Sequence, residues 1–568
     1  MHPLKRANYP RLIETVLAGL GFLGMYVLLA YFAPGGITGT DVIGYVVVGM
    51  NGSKATGAFL NRYFHILLQR IFVQAAPTPL QGVQYYWAFL IASICLLIYL
   101  SARLFSPNSR PIHGVLAVGL FLSIAALADS AGSTDIDLTA MFIVLAIVTV
   151  YLLYLRSGLR SRWLIALLGV LFYLAFKTKE TTLVSGLLVF GFGFDADEHF
   201  SFRRFFRNLL IFAGGCLIGL FVFALWTWLV VGDPLYGIRP SEYLGYLTSY
   251  ATAFPSGGAQ NGIADWLSGF FFSSLLVITL LYILSGIKGS GFSLPRRLVW
   301  LYPLALILFL SLSIGNRYGF SPRFAYPALP VLCLLGVQLL RFDPPANRAA
   351  WREAAIWTAA GLVMVVLCRL ALKYVVPKIG WDSLEFYYVV FAPLLIMGIL
   401  AIGFLVSQVG MKTSILLSLL ILSLLITPLT RNFKVTVLTH PNQVNAAPVY
   451  YPFQSFSDEI HFTPAMRMFI ADDVWVVMGN PWSTKNIDEV VDVFDVSFRA
   501  NAQRSNITFS GLKSDNLDAV LDQSYTYLLF SQTDWDLFAA DPAALAQVQQ
   551  HYRVFHDPQN LLVFLQLH

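Results

Sequence analysis

Three clusters of ionisable residues stand out in a chain that is otherwise strongly apolar. The first is Thr38-Gly39-Thr40-Asp41-Val42-Ile43-Gly44-Tyr45, just past the first hydrophobic segment. A carboxylate on a glycine-bracketed turn beyond a membrane span keeps its charge in water while reaching what the bilayer delivers. Asp41 is therefore the centre of the candidate site. The second cluster is Asp129-Ser130-Ala131-Gly132-Ser133-Thr134-Asp135-Ile136-Asp137-Leu138, with acids at 129, 135 and 137. Acids at a membrane edge need a cation, a base partner or a metal. Capping of a helix by Thr134 or Asp135 accounts for one of them and leaves the others without a role. The third is Phe176-Lys177-Thr178-Lys179-Glu180, an abrupt charged turn between two apolar segments. Snorkelling explains one lysine, whereas two lysines facing acidic loops suit a phosphate. Arg323, at a Pro-broken helix start within 316–327, is placed to hold a phosphate as well.

These groups need elements to position them, and the outer loop 34–83 is too long to be only a connection. Over 59–73 the polar residues Asn61, His65 and Gln69 recur every four positions with Arg62 beside them, among Leu60, Tyr63, Phe64, Leu67, Leu68 and Phe72. That spacing predicts a helix lying in the membrane interface with one narrow polar stripe. The stripe either faces water or carries chemistry, His65 serving as a ligand or proton carrier. A second outer loop, 232–264, contains Arg239 and Glu242 and is rich in Gly, Ser and Tyr, the composition of a substrate lid.

Of the 568 residues, 57% are hydrophobic and 12% charged, with mean hydropathy +0.67, which excludes a soluble protein of this size. Apolar stretches long enough to cross about 30 Å of hydrocarbon fall near 12–33, 84–104, 113–129, 138–155, 163–177, 180–194, 208–231, 265–287, 297–314, 323–340, 354–372, 388–407 and 413–429, about thirteen spans with the fifth and sixth short. Basic residues concentrate in alternate loops, as at Arg103 and Arg110, Arg156, Arg160 and Arg162, and Arg203, Arg204 and Arg207. The positive-inside rule makes those loops and the N-terminus cytoplasmic. Asp41, Asp135, Lys179, Arg239 and Arg323 then face the opposite side. The net charge of +6 is accounted for by this bias, and no nucleic-acid partner is expected.

The expected fold class is thus a polytopic α-helical membrane protein, residues 1–431, followed by an extracytoplasmic α/β domain at 432–568. In that domain the pattern predicts helices over 455–470, 486–491 and 542–551, strands over 474–478 and 525–530, and a final hairpin around Asp557-Pro558-Gln559-Asn560. Cys95, Cys216, Cys333 and Cys368 all lie inside spans, so none belongs to a disulfide framework. The absence of cysteine from the outer domain favours a prokaryotic plasma (inner) membrane. The first span follows Lys5, Arg6 and Arg11 without a small-residue cleavage site and reads as a retained helix.

The order of these pieces resembles the GT-C membrane glycosyltransferases that use polyprenyl-phosphate sugars, among them protein O-mannosyltransferases and lipid A aminoarabinose transferases. The likeness covers roughly the first 340 residues. It is carried by Asp41 with Tyr45, by Thr134-Asp135-Ile136-Asp137-Leu138-Thr139, by Phe176-Lys177-Thr178-Lys179, and by Arg323-Phe324-Ala325-Tyr326-Pro327. It implies that Asp41 is the first-loop catalytic acid, Asp135 the second acid, and Lys179 and Arg323 contacts to the lipid phosphate. Tyr45, Arg62, His65, Asp137, Lys177, Arg239 and Tyr326 are the further expected substrate-binding residues. One departure is visible. The aminoarabinose branch has an acid and a lysine before a Pro-Pro pair in loop one, where this chain reads Leu60-Asn61-Arg62-Tyr63-Phe64-His65, so that branch's metal site and acceptor are not carried over.

The implied reaction moves a sugar from a polyprenyl-monophosphate donor to a hydroxyl on a glycan, lipid or protein, on the extracytoplasmic face. The phosphate is a good leaving group once its charge is stabilised, while the hydroxyl needs a base, Asp41, and in-line attack inverts the anomeric carbon. No cofactor is required, and a divalent metal held with His65 stays open. Two other classes compete: a transporter or flippase, which places its charges nearer the bilayer midplane and shows paired repeats, and a glycan polymerase or ligase consuming lipid-diphosphate oligosaccharides.

Overall fold

The computed structural model describes residues 9–32, 45–46, 62–77, 79–106, 109–122, 124, 136–195, 198–239, 282, 293–313, 326–339, 467–471, 507–510, 525–556 and 562–568. In chain order these form α1 (Tyr9–Phe32), α2 (Tyr63–Ala75), α3 (Pro79–Phe105), α4 (Pro111–Leu122), α5 (Ile136–Arg156), α6 (Arg162–Phe176), a 3₁₀ helix (Glu180–Gly193), α7 (Phe202–Val231), α8 (Leu294–Ser313) and α9 (Leu329–Gly336). Stretches within α1, α3, α5 and α7 are long and apolar enough to cross a membrane: Glu14–Tyr31, Gln81–Phe105, Ile136–Arg156 and Phe202–Val231. Every expected span that falls on described residues is helical, whereas 265–287 (save Tyr282), 354–372, 388–407 and 413–429 lie outside them.

The sixth expected span is helical in an unexpected way. Glu180–Gly193 is a 3₁₀ helix of 14 residues, and at about 2.0 Å per residue it reaches about 28 Å, where an α-helix of that length reaches about 21 Å.

α3 and α5 form the centre. α3 packs against α1, α2, α4 and α5, and its inner-facing residues Tyr86, Trp87, Leu90, Ile94 and Ile98 are buried with Val144, Ile147, Val148 and Tyr151 of α5. α6 and α7 pack more intimately than any other described pair, because their backbones touch. A Cβ at Gly169 would overlap the Phe212 carbonyl, and one at Gly215 the Ala166 carbonyl. Small residues that let helix backbones meet are the common device where lipid offers no hydrophobic drive between helices.

The ends of the bundle differ in chemistry. At one end Glu14 of α1 accepts from Arg103 (2.5 and 3.0 Å) and Tyr99 (2.8 Å), and Arg156 donates to the carbonyls of Arg103, Leu104 and Ser106 at 2.7–3.2 Å. α5 runs from that end to Asp137 at the other, about 30 Å away at 1.5 Å per residue. Among the described residues, Arg103 and Arg156 therefore lie at one end of the bundle and Asp137 at the other.

Near the C-terminus, β1 (Met468–Ala471), β2 (Ile507–Ser510), β3 (Tyr527–Ser531), β4 (Tyr552–His556) and β5 (Leu562–Leu567) form one sheet of order β2-β1-β3-β5-β4, with α10 (Gln532–Ala539) and α11 (Pro542–His551) between β3 and β4. β1 is parallel to β2 and β3, and β5 is antiparallel to β3 and β4. The expected strand at 525–530, the helix at 542–551 and the final hairpin are present. Asp541 caps α11 through the amides of Ala543 and Ala544, with Pro542 in the first turn. The expected helix over 455–470 is corrected at its end. Met468 to Ala471 is a strand paired on both sides, because a four-residue apolar run buried in a sheet has no periodicity to distinguish it from a helix segment. The expected elements at 474–478 and 486–491 lie outside the described residues.

Candidate active site

The first turn of α5 and the turn after α6 meet at the acid-rich end. α6 ends at Phe176, and the amides of Thr178 and Lys179 both return to the Ala175 carbonyl at 2.9 and 3.1 Å. Lys179 is extended and opens the 3₁₀ helix, its carbonyl accepting from the amide and hydroxyl of Thr182 at 3.1 and 2.7 Å. Held at both ends, the turn aims the Lys179 ammonium at Asp137 Oδ1, to which it donates. The two side chains are 5% and 2% exposed. Asp137 sits in the first turn of α5, where the unpaired amides of the helix start favour a carboxylate. Taking both charges out of water is costly and is offset only by close pairing, so this contact is structurally demanding.

Lys177 points elsewhere. Its ammonium donates to the Gly237 carbonyl at 2.6 Å and lies 5.0 and 5.7 Å from the ring centres of Phe176 and Phe223. Gly237 has φ +72°, a conformation that favours glycine, and belongs to the segment after α7. There Asp233 accepts from the Leu235 amide at 3.1 Å and from Arg239 at 3.0 Å. Arg239 therefore braces its own loop. The start of α2 closes over the same turn: the Phe64 amide donates to the Lys177 carbonyl at 3.3 Å, and Tyr63 meets Tyr236 edge to face at 5.1 Å. Burial pushes the Tyr63 hydroxyl up to about 12, so it stays protonated at any physiological pH.

The described part of the polar stripe of α2 faces inward rather than toward water. His65 and Gln69 are buried and Arg62 nearly so, while Ile71 is exposed. His65 Nδ1 lies 2.7 Å from the Thr139 hydroxyl, which is 2.8 Å from the Tyr86 hydroxyl. With Tyr86 donating to Thr139 and Thr139 to Nδ1, the ring proton falls on Nε2. Arg62 donates to the Tyr45 hydroxyl, and the Tyr45 ring stands edge-on to His65 at 5.0 Å. Thr139 and Tyr86 were not singled out in the sequence. The available signal was weak: a hydroxyl two residues past Asp137 in an otherwise apolar helix.

No protein-family model matches the chain, and no curated protein matches it. Among solved structures, ArnT from Cupriavidus metallidurans bound to undecaprenyl phosphate aligns over 98% of both chains at 13% identity and TM-score 0.55, and its apo form over the same share at TM-score 0.54. An oligosaccharyltransferase from Archaeoglobus fulgidus, tethered to an acceptor peptide, aligns over 99% of this chain and 74% of its own at 12% identity and TM-score 0.43. The chain has the GT-C fold.

On this GT-C scaffold the expected site residues separate into three groups. Tyr45, Arg62, His65, Asp137, Lys177 and Lys179 come together at one end of the bundle, linked through α2, the first turn of α5 and the turn after α6. Arg239 joins them only through its loop. Tyr326 starts the short turn before α9 and is half-buried against the core. Gln338, at the far end of that segment, donates to the Ala102 carbonyl of α3 at 3.5 Å. Asp41, Asp135 and Arg323 lie outside the described residues, although Asp135 directly precedes α5. Among the described residues no three His, Cys, Asp or Glu side chains gather as metal ligands, and Asp137 and His65 Nδ1 are engaged by an ammonium and a hydroxyl.

Proposed function

We propose that this chain is an integral membrane glycosyltransferase that moves a sugar from a polyprenyl-monophosphate donor to an acceptor hydroxyl, with inversion, on the membrane face reached by Asp41 and Lys179. One observation carries the reading: a buried lysine–carboxylate pair at the loop end of a fold shared with a protein whose crystal structure holds undecaprenyl phosphate. In the reaction, Asp41 takes the proton of the acceptor hydroxyl as its oxygen attacks the anomeric carbon. The bond from that carbon to phosphate breaks, and its electron pair leaves with the polyprenyl phosphate. Lys179 and Arg323 neutralise the charge that grows on the departing phosphate. Asp137 keeps the Lys179 ammonium oriented until the phosphate competes for it, and Lys177 and Tyr63 hold the 232–239 segment over the site. Thr139, His65 and Tyr86 fix the first turn of α5 and with it Asp137. On this reading the phosphate charge is met by Lys179 and Arg323, with a divalent metal held with His65 left open. The location is a prokaryotic plasma membrane, with the loop end and the C-terminal sheet extracytoplasmic.

The deciding experiment incubates the purified full-length protein with a panel of polyprenyl-monophosphate sugars and measures release of polyprenyl phosphate, with and without a chelator, for wild type and Asp41→Asn. Release by the wild type, reduced roughly 10²–10⁴-fold by the substitution, is the expected result for loss of a general base, and the chelator arm shows whether a divalent metal takes part. Consumption of lipid-diphosphate donors instead, or solute movement in proteoliposomes indifferent to Asp41→Asn, overturns it.

A further inference from the structure

The basic end of the bundle carries a feature that the proposed transfer reaction does not use. Between the α5–α6 loop and the start of α7 lies a cavity of about 360 Å³, a volume within the range of about 300–1,000 Å³ common for small-molecule sites. Its wall includes Arg160, Arg162, Arg204 and Arg207, with Asp195 and Asn208. Asp195 is already occupied, accepting from the His199 amide at 2.9 Å with the imidazole 3.9 Å away. Asn208 donates to the Phe192 carbonyl at 3.0 Å, which anchors the floor. Arg204 donates to the Leu159 carbonyl at 2.6 Å, and its guanidinium also lies beside the Tyr154 hydroxyl. No carboxylate among the described residues lies within ion-pair distance of Arg160, Arg162, Arg204 or Arg207.

Four arginines and one carboxylate line this space, a formal surplus of three positive charges that favours an anion. Planar guanidinium forks suit phosphate oxygens. The surroundings indicate where that phosphate comes from. Trp163, Phe202, Phe206 and Leu210 flank the arginines and are exposed, Trp163 at 68% and Phe202 at 71%. Aromatic residues at the end of a membrane helix mark the headgroup level, and exposed apolar side chains beside them face acyl chains. Basic pockets between membrane helices at that level take anionic headgroups.

We propose that this cavity binds the phosphate of an anionic phospholipid, on the membrane face opposite the transfer site. The lipid would bridge the α5–α6 loop and α7, and so brace the α6–α7 pair from below while the transfer chemistry takes place about 30 Å away at the other end of α5. The site is independent of the transferase reading and stands or falls separately.

The test is native mass spectrometry of the full-length protein in neutral detergent, titrated in turn with phosphatidylglycerol, phosphatidylcholine and glycerol 3-phosphate. The variant is Arg160→Gln/Arg162→Gln/Arg207→Gln, which spares Arg204 because that side chain holds the Leu159 carbonyl. Wild type should retain one phosphatidylglycerol in preference to phosphatidylcholine, and the triple variant should bind it roughly a hundred-fold more weakly, from about five-fold for each cation near a headgroup. The matching triple substitution to lysine should lose far less. If the glutamine variant does not fold, Arg207→Gln alone should still show a loss of about five-fold. Equal phosphatidylglycerol binding by wild type and variants overturns the proposal. Glycerol 3-phosphate binding as tightly as the phospholipid overturns it too, since the cavity would then be a site for a soluble phosphate.

Discussion

The two ends of α5 use cations in opposite ways. At the loop end Lys179 is sealed against Asp137, and Lys177 against a backbone carbonyl and two aromatic rings. At the basic end Arg156 is exposed and spreads over three carbonyls, Arg103 shares Glu14 at about a quarter exposure, and Arg160, Arg162 and Arg207 stand open around a cavity. A charge in water can be lost at little cost, whereas a charge withdrawn from water is tied to its partner. The loop end is therefore where charge is kept in place despite the cost, and that is the physical argument for placing chemistry there.

The comparison can be broken at three levels of effect. Lys179→Met leaves Asp137 buried without its cation and should cost about 3–5 kcal/mol of stability, read by thermal or denaturant unfolding in detergent. Adding Asp137→Leu to it should recover most of that stability while donor turnover stays lost. Recovery of turnover together with stability would mean that the pair is only structural. Thr139→Val is expected to have an intermediate effect. It removes the hydroxyl that both His65 Nδ1 and the Tyr86 hydroxyl use, leaving them only their long 3.5 Å contact with each other, for about 1–3 kcal/mol, and should raise the donor KM by loosening the turn that carries Asp137. Arg103→Gln at the opposite end should cost no more than about 1 kcal/mol and leave turnover unchanged. A cost at Arg103 equal to that at Lys179 would erase the distinction between the ends.

Much of the bundle was legible because hydrocarbon demands long apolar runs, and basic loops betray their side. The turn 176–180 and the acids near 135 were legible as partners because both fall at the same ends of neighbouring spans. Which acid meets Lys179 was not. Asp135 and Asp137 are two residues apart in the sequence, and the contact between Lys179 and Asp137, in the first turn of α5, is visible only in the structure. The direction of the α2 stripe was equally hidden, since the same spacing suits a helix facing water or facing a buried hydroxyl. The close contact of α6 and α7 did leave a trace, Gly215 and Gly219 four apart, the first against Ala166 and Gly169 and the second against Val170 and Tyr173.

By itself the sequence determined that the chain is built of apolar helices suited to a bilayer, because this follows from the cost of moving each residue between water and hydrocarbon. Tertiary structure alone decided the pairs: Lys179 with Asp137, Lys177 with Gly237, His65 with Thr139, and four arginines around one cavity. The first kind of information is a sum over residues and can be read one at a time. The second depends on distances of a few ångströms between segments far apart in the chain, and no local pattern encodes those.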